Sequence, residues 1–93
     1  MAQGDRLILL RDAQRPAVVD RHYLRRRFHL TPTEADVLAR LLLGETWTAI
    51  ADARGSTLET IRSYLKELRK KLNCTNQAQL VSTGWRGIGF TPH

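Results

Sequence analysis

Thr46-Trp47-Thr48-Ala49-Ile50-Ala51-Asp52-Ala53-Arg54, then Gly55-Ser56, then Thr57-Leu58-Glu59-Thr60-Ile61-Arg62-Ser63-Tyr64-Leu65-Lys66-Glu67-Leu68-Arg69-Lys70-Lys71-Leu72, is the stretch on which the fold turns. Each half opens on a threonine, whose hydroxyl can accept one of the N–H groups that a helix start leaves without an intrahelical partner. Thr46 therefore predicts a short helix from Trp47 to about Arg54, with Ile50 and Ala53 on its inner side. Thr57 predicts a longer helix to about Leu72, because Leu58, Ile61, Leu65, Leu68 and Leu72 recur every three or four residues and share one face. Between the two, a break of four residues contains Gly55, which accepts the backbone of a tight turn. Short helix, tight turn and longer helix make a helix-turn-helix. In that arrangement the second helix projects into the DNA major groove, its N-terminal half at the base edges.

The flanks supply the rest of an all-α domain. Leu30-Thr31-Pro32-Thr33-Glu34 reads as a hydrophobic staple, an N-cap, a proline at the first helical position and the glutamate of a capping box. Ala35, Val37, Leu38, Leu41 and Leu42 continue that helix as an apolar stripe, and Gly44 ends it in a left-handed cap. Downstream, Asn73 offers the best non-glycine left-handed cap, and Asn76 with Gln79 opens another helix through Ala78, Leu80 and Val81 to about Thr83. The tail from Gly84 to Phe90 is too glycine-rich to stay helical to its end. Upstream, Asp20 caps a short helix that carries Leu24 and Phe28 on one face, and Leu7 to Leu10 forms an extended arm or brief strand.

The helix from Thr57 to Leu72 suits a polyanion. Opposite its apolar stripe it presents Glu59, Arg62, Ser63, Lys66, Arg69 and Lys70. Five basic residues against two acidic ones give this segment +3, half of the chain's net charge of +6. Arg62 and Lys66, one turn apart, point the same way; an arginine can grip a guanine edge with two hydrogen bonds and a lysine can reach base or phosphate. The Thr46 and Thr57 caps stand where helix N-termini can clamp backbone phosphates.

Composition bounds the alternatives. Ninety-three residues fit one domain. The single cysteine, Cys74, excludes an internal disulfide and a cysteine-built zinc site, and His22, His29 and His93 lack metal-ligand spacing. Neither a nucleophile–base pair nor a phosphate loop is present, so no enzyme, cofactor or metal is expected. Glu34 and Asp36 point apart on their helix, and one belongs to a capping box. The apolar run at Leu7–Leu10 is too short for a signal peptide or a membrane span, which makes the expected location cytoplasmic.

Residues 30 to 81 resemble the LuxR-type (GerE/FixJ-like) helix-turn-helix family. The resemblance rests on Leu30-Thr31-Pro32-Thr33-Glu34, Val37-Leu38, Gly44, Ile50-Ala51, Thr57 to Arg62, Lys71-Leu72 and Asn76 to Val81. It implies a four-helix domain over 30–93, here preceded by an extended arm and short helix over 1–29. It further implies a recognition helix at 58–72 in the major groove and a last helix that mediates homodimerisation. The DNA contacts so implied fall on Arg62, Ser63 and Lys66, with Thr60 on the backbone. The expected function is sequence-specific double-stranded DNA binding in transcriptional regulation, with RNA polymerase as a further candidate partner. Three departures stand out: Thr33 where the family usually has arginine, Arg54 and Ser56 where it has apolar residues around the turn, and Gln77 for a common arginine. The first departure removes a charge contact, and the second predicts looser packing at the turn. Residues 1–29 read either as the end of an upstream sensory domain or as an arm packing on its own core.

Two other readings fit the same layout: a sigma-factor region-4-like promoter binder, disfavoured by the helix at Asn76–Val81, and a protein-interaction module that has lost DNA binding. Among single residues, Cys74 is expected buried and structural, and Arg25-Arg26-Arg27 forms a solvated helix face or a second phosphate contact. Trp47 packs under the N-terminal segment or meets a partner, while Trp85 and Phe90 close the core or contribute to a dimer surface.

Overall fold

Among the described residues all five helix starts carry a side-chain cap, and the chain's course follows from them. In a computed structural model that describes residues 19–88, Asp20 opens α1 (Arg21–Phe28), Thr31 opens α2 (Pro32–Leu42) and Thr46 opens α3 (Trp47–Arg54). Thr57 opens α4 (Leu58–Lys71) and Asn76 opens α5 (Gln77–Gly87), each cap accepting a backbone N–H of the first turn. Among the described residues no strand occurs, and the fold is all-helical. The arm at Leu7–Leu10 and Phe90 lie outside the described residues.

The first four helices stop in the same way. His29, Gly44, Gly55 and Asn73 all take positive φ, at 58°, 90°, 64° and 57°. Such a residue reverses the chain and lets the next N–H reach back over the last turn: Leu30 to Arg25, Glu45 to Arg40, Ser56 to Ala51 and Cys74 to Arg69. Glycine adopts this conformation freely, and asparagine and histidine are the side chains that tolerate it best.

Helix α2 is the hub, packing against each of the other four helices. It buries Ala35, Val37, Leu38, Ala39, Leu41 and Leu42 among Leu24 of α1, Ile50 of α3, Ile61, Leu65 and Leu68 of α4 and Leu80 of α5. Val19, Leu24 and Leu30, all buried, hold helix α1 against the core.

Several expectations need correction. The turn between α3 and α4 has three residues, 55–57, not four. Ala53 faces solvent, and Ala51 takes the inner position beside Ile50. Leu58 is 46% exposed, because the first turn of α4 runs beyond the edge of the core that Ile61 enters. Leu72 caps α4 and is not part of it. Helix α5 does not fade at Thr83 but continues to Gly87. Its glycines are contact points: a Cβ at Gly84 would lie 2.9 Å from Leu42 Cδ2, and one at Gly87 2.3 Å from Phe28 Cζ. Close helix packing at these two positions outweighs the poor helix propensity of glycine.

Candidate nucleic-acid interface

The exposed side of α4 is built from the residues the core cannot use. Ile61, Leu65 and Leu68 are at most 1% exposed and fix the helix's rotation. Glu59, Thr60, Arg62, Ser63, Lys66 and Lys70 are thereby turned to solvent, with Arg69 half-buried at the margin. The expected site residues of α4 therefore share one open surface. At its N-terminal end Thr57 Oγ1 accepts the Thr60 N–H and lies 3.1 Å from Thr60 Oγ1. Thr46 does the same for Ala49 at the start of α3, and both cap residues are exposed.

Not all of α4's charge is free. Lys71 turns inward and donates to Glu34, and Lys70 lies 3.6 Å from Glu67. Arg62, Lys66 and Arg69 have no carboxylate partner among the described residues. Three cations held on a rigid helix without counter-charge suit an external anion.

A second set of charges fixes the frame. Asp36 on α2 receives Arg21 from α1 at 2.6 Å, Arg40 one turn along at 3.1 Å, and Arg54 from the end of α3. Burial opposes charge on Asp36, yet the hydrogen bonds from Arg21, Arg40 and Arg54 outweigh it and hold its carboxyl at about 2. The same contact, with Glu45 adding to it, raises the Arg40 pKa. Arg54, expected to loosen the turn, instead braces it. Its guanidinium also donates to Thr33 Oγ1 at 3.4 Å, so a positive charge stands beside position 33 after all. Only the pairing of Asp36 with Arg40 had a sequence signal, the i,i+4 spacing.

Trp47 links two helices. Half-buried against the core, it donates from Nε1 to Gln77 Oε1 at 2.9 Å, tying the start of α3 to the start of α5. Trp85 packs on the core, and Cys74 is half-buried, within 3.4 Å of the Leu72 carbonyl and Thr83 Oγ1. Ala78 is exposed and Val81 half-buried on α5. Among the described residues no group of three His, Cys, Asp or Glu is placed to hold a metal, and no helix is long and apolar enough to cross a membrane.

This geometry agrees with a family match: residues 29–83 fit the GerE model of bacterial regulatory proteins, luxR family. The chain belongs to the luxR family. Helices α2 to α5 are the family's part, whereas α1 precedes the matched segment. The transcriptional regulatory protein MctR of Rhizobium johnstonii is 38% identical over 52 residues, covering 56% of this chain and 24% of that protein. The HTH-type transcriptional activator RamA of Corynebacterium glutamicum is 36% identical over 63 residues, covering 68% of this chain and 22% of that protein. The chain thus spans less than a quarter of the length of these two relatives. No solved structure matches it. The family is one of bacterial regulatory proteins, and the names of both relatives describe transcriptional regulators.

Proposed function

We propose that this domain reads a specific double-stranded DNA sequence through α4. The observation that carries the reading is the row Arg62, Lys66 and Arg69, exposed at its first two members, without a carboxylate partner among the described residues, and held on a helix whose other face buries Ile61, Leu65 and Leu68. In this reading α4 lies in the major groove, with Arg62 gripping a guanine edge and Ser63 and Lys66 reaching neighbouring bases. Glu59 reads a cytosine amino group, and Thr60 holds the backbone. Arg69 and Lys70 neutralise phosphates further along, and the capped starts of α3 and α4, at Thr46 and Thr57, clamp others.

Two copies bind together through α5, whose exposed Ala78 and half-buried Val81 give the contact its apolar part. A two-fold pair would read half-sites about one helical turn apart.

Selection from a random-duplex pool, followed by footprinting, tests this. One enriched sequence with two-fold symmetry is expected, bound with a log–log salt slope of about −0.9 for each phosphate contacted. Absence of any enriched sequence, or a slope near zero, overturns the reading. One chain per duplex at saturation on a palindromic site would overturn the dimer.

A further inference from the structure

Helix α1 carries as much charge as α4 and lies outside the luxR-family match. Between residues 20 and 30, four arginines stand against one aspartate, a net +3. Arg21 is spent on Asp36, and Arg27 lies over the Phe28 ring at 5.0 Å. Arg25 and Arg26 are exposed and have no carboxylate partner among the described residues. Together with His22 and Leu30 they line a surface depression of about 380 Å³. A second depression of about 210 Å³ adjoins it, sharing His22 and Arg25 and bounded by Arg21, Pro32 and Ala35. The first turn of α2 therefore forms one wall of the paired hollows.

We infer that this hollow is a second anion site, and that Arg25 and Arg26 hold phosphates of the same duplex that α4 reads. The inference rests on the DNA-binding reading and extends it to a helix outside the matched segment. Rigidity supports it: Leu24 is fully buried, Asp20 caps the helix, and His29 closes it. Position supports it too. Arg21 meets Asp36, which meets Arg54, and Arg54 precedes the turn into α4 by a single residue step. One carboxylate thus fixes α1 to the end of the helix-turn-helix that leads into the groove, and Arg25 lies one turn further along α1 on the same side. The location of these arginines in the last turn of α1 also suits the helix dipole, but the dipole does not call for a hollow between them. Guanidinium, with a planar fork of donors, is the side chain best matched to phosphodiester oxygens.

The test uses the full chain and a random-sequence 30-base-pair duplex, because phosphate contacts ignore sequence. Arg25→Ala/Arg26→Ala should flatten the log–log salt slope by about 1.8, two contacts at about 0.9 each. Its deficit against wild type should shrink about tenfold between 50 and 200 mM salt. Arg25→Lys/Arg26→Lys should restore most of the slope. Arg25→Gln/Arg26→Gln keeps the long stem, so it gives the same reading should the alanine variant melt early. A wild-type chain that binds duplex with a slope unchanged in the alanine and glutamine variants overturns this inference alone and leaves α4's role standing. A wild-type chain that binds no duplex overturns both.

Discussion

The Lys71 ammonium stands 2.7 Å from Glu34 Oε1, the same oxygen that accepts the Thr31 backbone N–H at the start of α2. One carboxylate thus completes a capping box and anchors the last turn of α4. Glu34 is the sole buried charged residue among those described, at 6% exposure. Burial alone would raise its carboxyl, but the Lys71 and Thr31 hydrogen bonds prevail and hold it below the ordinary carboxylate range.

Glu34→Ala removes both functions and should cost about 2–3 kcal/mol. Glu34→Gln keeps an oxygen for Thr31 and loses only the ion pair, so about 1 kcal/mol is expected. Urea denaturation at pH 7 measures both. Equal losses would mean that the Thr31 capping bond contributes nothing and the Lys71 pair accounts for the whole effect.

Asp36 makes the fold's stability sensitive to acid. A carboxyl at about 2 in the folded chain, against about 3.9 unfolded, stabilises fully above about pH 4. That contribution fades as pH falls from about 4 towards 2. It is on the order of 2 kcal/mol, since Arg21 stands partly in water. Asp36→Asn should lose this amount at neutral pH and flatten the melting-temperature profile across that window. An unchanged profile would show that the three arginines do not act through the charge.

Gly87→Ala should destabilise by about 1–3 kcal/mol, because its Cβ would sit 2.3 Å from Phe28 Cζ and the ring is held between α1 and α5. Gly84→Ala meets only the ends of Leu42, and gains about 1 kcal/mol of helix propensity. It should be close to neutral. Thermal melts of Gly87→Ala with and without Phe28→Leu decide the cause: the double variant should lose less than the sum. Strict additivity would dissociate the glycine from the ring.

Arg62→Ala should cost about 1–3 kcal/mol on the selected duplex and much less on a scrambled one, with relaxed preference at one base pair. Paired titrations read this directly, and melting curves confirm folding. Equal losses on both duplexes would make Arg62 a backbone contact and move base reading to Ser63 or Lys66.

Helix starts were legible because capping is local. Asp20, Thr31, Thr46, Thr57 and Asn76 each act on N–H groups two or three residues away, so no tertiary knowledge is required. Gly44, Gly55 and Asn73 were equally readable as stops. The end of α5 was not: glycine's propensity argues against a helix, and only the approach of Leu42 and Phe28, roughly forty and sixty residues earlier in the chain, explains why the helix runs on through Gly84 to Gly87. Ala53 and Leu58 show the limit of periodicity, which gives a helix a face but not the edge of the core that face meets.

The candidate interface divides in the same way. By itself the sequence determined that the outer face of the helix after Thr57 is basic, since heptad-like spacing separates Arg62 and Lys66 from Ile61 and Leu65. Which of those charges remain available was decided by tertiary structure alone. Lys71 is withdrawn by Glu34, thirty-seven positions away, and Arg54 is drawn to Asp36 and Thr33. Arg25 and Arg26 are left open beside Pro32 and Leu30. Ion pairing falls off within a few ångströms, so a charge's fate depends on which distant residue the fold brings beside it, and spacing along the chain carries no record of that.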